Sequence, residues 1–88
     1  MADYSITFAR SARKELERLP DEIAGRILTK IESLSQNPRP AGTVRLRGPM
    51  NLWRVRVGDY RVVYAINDTA RAVDVSIVRH RREVYRGI

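Results

Sequence analysis

The chain has 88 residues, a formal net charge of +7, no cysteine and a single histidine. That length supports one domain, residues 1–88, with one modest core, and the missing cysteines exclude disulfides and thiolate metal sites. His80 alone does not make a protein-only metal site, no cofactor is expected, and no apolar run approaches the ~18 residues of a membrane span. The charged residues among the first twenty leave no stretch suited to a secretory signal, so the expected location is the cytoplasm.

Tyr4 to Phe8 alternates large and small side chains, which predicts an opening strand with Tyr4, Ile6 and Phe8 on one face. Ser11 is placed to cap a first helix in which Ala12, Leu16 and Leu19 recur at helical spacing, with Pro20 as its end. A second helix is predicted from about Asp21 to Ser35, with Ile23, Ile27, Leu28, Ile31 and Leu34 as its apolar stripe and Glu22 four residues before Arg26. Pro38 and Pro40 end it, and the short break at Pro20 implies a helical hairpin laid on one face of a sheet. Thr43 to Leu46 then predicts a short strand that Gly48-Pro49 breaks.

The next segment, WRVRVGDYRVVY from Trp53 to Tyr64, predicts two strands joined by a two-residue turn at Gly58-Asp59. Turn geometry fixes the register: Val57 faces Tyr60, Arg56 faces Arg61, Val55 faces Val62, Arg54 faces Val63 and Trp53 faces Tyr64. Strand alternation puts Trp53, Val55, Val57, Tyr60, Val62 and Tyr64 on an apolar face and Arg54, Arg56 and Arg61 on the other. Asn67-Asp68-Thr69 supplies the next turn, and Ala72 to Val78 is a last strand with Val73, Val75 and Ile77 on one side. The resulting plan is α+β: strand, helical hairpin, then an antiparallel meander (β-α-α-β-β-β), with helices packed on one face of a mostly antiparallel sheet. The arginine face is left open. Continued alternation would place Arg79 and Arg81 on the Val73 side, so reaching the Arg54 face requires the strand to end and the chain to turn.

The charge is unevenly distributed. Residues 1–38 hold six basic and six acidic side chains, whereas 39–88 hold eleven arginines and no lysine against Asp59, Asp68, Asp74 and Glu83. The whole excess therefore lies in the half that builds the meander, where it favours polyanions, nucleic acid foremost, and no basic amphipathic helix points to a membrane. Arg56 and Arg61 directly opposite one another would repel, which makes sense if an anion such as a phosphate visits that face. The ending Arg79-His80-Arg81-Arg82-Glu83-Val84-Tyr85-Arg86 adds guanidinium groups that can hold a phosphodiester and a phenol that can stack on a base. His80 is the one side chain with an ordinary pKa near neutrality and is the candidate for proton transfer. There is no phosphate loop, no GxGxxG and no nucleophile elbow.

With the Leu19-Pro20 bend, the Arg45-Leu46-Arg47-Gly48 run, WRVRVGDYRVVY and the VRHRREVYR ending, the chain resembles the RelE/ParE superfamily of type II toxin–antitoxin toxins, and its RelE branch in particular. The resemblance implies a ribosome-dependent messenger RNA endoribonuclease, acting by attack of a ribose 2′-hydroxyl on the adjacent phosphate in the decoding site. It also implies a catalytic set. Arg54 and Arg56 correspond to the basic pair of the central strand, Arg61 to the phosphate-stabilising arginine, Arg81 to the leaving-group arginine and Tyr85 to the base-stacking tyrosine. Arg45, Arg47, Arg79 and Arg82 are further contacts to RNA or ribosome. Family relatives commonly carry lysine in the basic pair, and arginine holds its proton too tightly to act readily as a general base, which leaves either His80 or transition-state electrostatics to serve. Implied partners are an acidic cognate antitoxin, the ribosome with its message, and operator DNA through the toxin–antitoxin complex. The alternative is a ParE-like gyrase inhibitor without nuclease chemistry, and a third reading is a binding module that has lost toxicity.

Overall fold

A computed structural model describes residues 3–80, in which five strands and two helices follow in the order β1 (Ser5–Phe8), α1 (Arg10–Arg18), α2 (Asp21–Ser33), β2 (Val44–Arg45), β3 (Leu52–Val57), β4 (Tyr60–Asn67) and β5 (Ala72–His80). The sheet order is β1-β5-β4-β3-β2, antiparallel except where β1 lies parallel to β5. This is the expected α+β architecture, in which the short strand predicted at Thr43 to Leu46 is present as the two-residue β2 and makes four strands after the helices. No helix among the described residues is long and apolar enough to cross a membrane.

Pro20 separates the helices by two effects. It holds Leu19 extended (φ −83°, ψ 151°), as a residue before proline prefers, and it stands at the head of α2, where its missing N–H costs nothing. Asp21 and Glu22 fill the first turn of α2, and Lys30 the last, each sign opposed to the helix dipole. Ala12 and Leu16 of α1 join Ile27 and Ile31 of α2, with Leu34 just beyond it, in a core against Val55, Val62, Tyr64, Ile66, Val73, Val75 and Val78 of the sheet. Leu28 departs from its expected place in the stripe: at 39% exposure it faces outward, because the buried arc of α2 runs through Ile27, Ile31 and Leu34. Ser11 likewise is not a cap. The helix begins at Arg10, two residues earlier than a Ser11 cap would set it; Ala9 takes the N-cap position without a side-chain hydrogen bond, and its N–H donates to the Val75 carbonyl at 2.8 Å.

Two polar anchors fix the long connector between α2 and β2. The Tyr64 hydroxyl, fully buried, donates to the Pro38 carbonyl at 2.7 Å, and burial pushes its pKa up. Nearer the surface, Asp68 in the β4–β5 turn accepts two hydrogen bonds from Arg39 (3.2 and 2.8 Å) and one from the Tyr4 hydroxyl (2.7 Å). Arg39 also lies over the Trp53 ring, 4.8 Å from its centroid. One carboxylate thus ties the start of β1, the connector and the turn together.

The Arg39 and Tyr4 hydrogen bonds hold the Asp68 carboxyl at a pKa of about 2, below its ordinary value of 3.8. A lowered carboxylate pKa stabilises the fold above the unfolded value and loses that contribution as pH falls through the folded one. In thermal melts, the advantage of the natural chain over Asp68→Asn is therefore expected to be full above pH 5 and to vanish as pH approaches 2. A difference that does not change with pH would refute the anchor. Gly25 sits exposed inside α2, with no atom within 4 Å of where a β-carbon would stand. Gly25→Ala is expected to stabilise by about 0.5–1 kcal/mol in denaturant titrations, because alanine loses less backbone entropy in a helix.

Candidate functional site

The hairpin register is the one the sequence dictates: Val57 pairs with Tyr60, Arg56 with Arg61, Val55 with Val62, Arg54 with Val63 and Trp53 with Tyr64. Gly58 takes the positive φ (59°) of the first position in a type II′ turn, which suits the twist of the flanking strands. Arg54, Arg56 and Arg61 consequently share the face turned away from the helices.

The fourth arginine arrives by a route the alternation rule does not foresee. In the β4–β5 ladder Val63 pairs with Ile77 and Tyr64 with Val75, so Ser76 is an extra residue without a partner, a β-bulge. The bulge reverses the parity of everything after it. Ile77, expected beside Val73 and Val75, lies on the arginine face opposite Val63, whereas Val78 returns to the core at 1% exposure. Arg79 then pairs with Arg61 and reaches the arginine face without the strand ending, since β5 runs on to His80. The sequence carried the signal: the core valines fall at 73, 75 and 78, a spacing that unbroken alternation cannot bury. Ser11 explains itself here as well, because its hydroxyl lies 3.4 Å from the Ser76 carbonyl, the group that a bulge leaves outside the ladder.

Arg56, Arg61 and Arg79 therefore form one cross-strand row over β3, β4 and β5, with Arg54 two residues away along β3 on the same face. Neighbouring strands lie about 4.8 Å apart, and two unit charges ~6 Å apart repel by about 3 kcal/mol at an effective dielectric of about 20. An anion between such groups relieves that repulsion while accepting their hydrogen bonds. The face is not the fully open surface expected: Arg61 is 6% exposed and Val63 1%, while Arg56 stands free to solvent. Arg54 keeps an enclosed Nε with no hydrogen-bond partner among the described residues. A notch of about 180 Å³ at the turn is lined by Arg56, Gly58, Asp59, Tyr60 and Arg61.

The other expected site residues divide. His80 pairs with Tyr60, its ring set edge-on at 5.4 Å, and so lies on the helix side of the sheet, away from the row. Arg45 pairs with Trp53 and stands 6.0 Å from the indole centroid, also on that side. Arg47 is exposed beyond β2, in a shallow recess with Arg45, Leu46 and Gly48. Arg81, Arg82 and Tyr85 lie outside the described residues.

Comparison with known proteins gives a consistent picture. Residues 6–85 match the model of a family described as the ParE toxin of the type II toxin–antitoxin system parDE. The toxin RelE of Mycobacterium tuberculosis is 33% identical over 84 residues, spanning 94% of this chain and 87% of that protein. Toxin RelG of the same organism is 31% identical, with 94% and 97% covered. Among solved structures, the archaeal RelE–RelB complex from Pyrococcus horikoshii contains a chain that superposes with a TM-score of 0.80 at 27% identity, covering 90% of this chain and 96% of that one.

Deleting Ser76 would turn Val78 outward and Arg79 into the core. The deletion is expected to destabilise by more than about 3 kcal/mol, or to prevent folding, whereas Ser76→Ala keeps the residue count and changes stability by less than about 0.5 kcal/mol. Equal effects of the two changes in denaturant unfolding would contradict the bulge.

Proposed function

This chain belongs to the RelE/ParE toxin superfamily, in its RelE-like branch, and from that premise we propose that it is an endoribonuclease that cuts messenger RNA in the ribosomal decoding site. The observation that carries the reading is the row Arg56–Arg61–Arg79 with Arg54 beside it, four guanidinium-bearing residues on one face of a rigid sheet. A protein that only binds another protein has no need of such a set.

In the proposed reaction the ribose 2′-oxygen gives up its proton to water and bonds to the adjacent phosphorus. The bond to the 5′-oxygen breaks, and that oxygen takes up a proton, leaving a 2′,3′-cyclic phosphate and a 5′-hydroxyl. Arg61 holds the phosphate and stabilises the charge that grows on it. Arg54 and Arg56 supply fixed positive charge on the attacking side, Arg81 neutralises the leaving oxygen, and Tyr85 stacks on the base. Guanidinium groups preorganised in this way stabilise the transition state without accepting a proton. The placement of His80 beside Tyr60 favours this electrostatic route over proton abstraction by histidine. Arg47, Arg79 and Arg82 extend the contact along RNA or ribosome; Arg45, stacked near Trp53, joins them only from the opposite side of β2.

The partner proposed for the free toxin is an acidic cognate antitoxin, in keeping with relatives solved as RelE–RelB complexes, and the pair would reach operator DNA together. Inhibition of gyrase, suggested by the ParE description of the matching family, is the second reading.

In a reconstituted translation system with 5′-end mapping, cuts are expected at decoding-site codons. Arg56→Ala, at an exposed position that leaves the core intact, and Arg61→Ala are each expected to slow cutting on the order of 100- to 1000-fold, and His80→Ala less than about fivefold. Circular dichroism controls for folding of the buried Arg61 variant. Intact message with the natural chain would overturn the nuclease reading and direct the work to gyrase supercoiling.

A further inference from the structure

The cationic row does not end at Arg56. β2 pairs only with Arg54 and Trp53, so among the described residues no strand covers the outer edge of β3 from Val55 to Val57. In place of a strand there is an open groove of about 550 Å³ between that edge and α2, lined by Arg26, Thr29, Lys30, Ser33, Arg56 and Val57. Its chemistry is one-sided. Three cations and two hydroxyls line it and no carboxylate does, although α2 also carries Asp21, Glu22 and Glu32. Among the described residues none of Arg26, Lys30 and Arg56 forms an ion pair; the ion pair found is Arg39 with Asp68. Helical spacing explains the convergence: Arg26 precedes Thr29 and Lys30 by three and four residues, and these precede Ser33 by four and three, so all four line one face of α2. The edge contributes a backbone donor as well. Residues closing a two-residue turn aim their backbone groups at each other and their neighbours aim theirs outward, so the Arg56 amide points out from the free edge of β3 that borders the groove.

We propose that this groove is a second phosphate-binding site, which holds the backbone of an RNA strand flanking the scissile phosphate, with Arg26 and Lys30 as its principal contacts. The inference rests on the RNA-cutting reading and extends it. Arg56 belongs to both the row and the groove, so a strand whose reacting phosphate sits at Arg61 continues over the β3 edge into a second cluster of cations. The groove has room for a phosphate and its ribose; the Thr29 and Ser33 hydroxyls donate to the Gly25 and Lys30 carbonyls, so their oxygens can accept from a ribose 2′-hydroxyl while the cations hold the phosphate, contacts that do not depend on base identity. An acidic peptide is the competing occupant, but the narrow spacing of Arg26 and Lys30 on a single helix face favours closely spaced phosphates.

The test separates binding from cutting. Ribosomes programmed with a message whose decoding-site ribose is 2′-deoxy can bind the toxin and cannot be cut. Affinity for them is measured over a salt series for the natural chain and for the Arg26→Ala, Lys30→Ala double variant. The double variant is expected to bind about tenfold more weakly near 0.15 M salt, with a log–log salt slope shallower by one to two. Its single-turnover cutting of a ribose message at saturation should stay within about twofold, and Arg26→Lys with Lys30→Arg should restore binding. An unchanged slope and affinity would overturn the proposal, as would a loss confined to binding of an acidic antitoxin peptide. Should the natural chain bind with the expected slope but never cut a ribose message, the groove would stand and the nuclease reading would fall.

Discussion

The parity of β5 is the constraint on which the rest of the structure depends. A strand shows its residues alternately to two faces, and this sheet has one apolar and one cationic face, so every position in β5 must be assigned correctly to both. Val73 and Val75 satisfy the core with one parity, and Val78 and Arg79 satisfy both faces with the other. Only an extra residue between them reconciles the two halves, and Ser76 is that residue. The head of α1 is fastened at the same place, through the Ala9 N–H on Val75 and the Ser11 hydroxyl near the Ser76 carbonyl. One backbone irregularity thus joins the helical layer to the composition of the opposite face.

The charges are sorted by layer in a way that composition alone does not reveal. Helix α2 keeps its acids at its ends and outer side and its bases toward the β3 edge, while the sheet gathers arginine on the face turned from the helices. Arg39 is the exception that holds the framework: it spends its charge on Asp68 and its plane on Trp53. The arginines of the sheet face are brought close together by the geometry of the ladders. Such an arrangement is tolerated because the β3–β4 register is fixed independently by the turn and by the apolar pairs on the other side.

How legible this was in the sequence follows from where the rules are local. The β3–β4 register could be read residue by residue because a two-residue turn leaves it no freedom, and the Pro20 bend could be read because proline acts on its neighbours. The order β-α-α followed by a meander came from the same short-range signals. What escaped were the features decided across the fold. Ser11 has the composition of a cap but is used by a strand 65 residues away, and Leu28 fits the stripe by spacing but lies outside the arc that the sheet covers. Ile77 and Arg79 were assigned by alternation, which a bulge breaks without any glycine or proline to announce it. His80 was drawn to the site by its chemistry, and the ladder sets it on the other side of the sheet.

The position of β5 in the sheet also decides when the molecule can exist. Among the described residues the first strand pairs only with the last, since Ser5 to Phe8 lie beside Ala72 to Val75, and the start of α1 hydrogen-bonds to that same strand. During synthesis the amino-terminal third must therefore wait, its strand unpaired and its first helix untethered, until residue 80 has emerged. The row of Arg56, Arg61 and Arg79 is complete only once β5 has taken its place in the sheet.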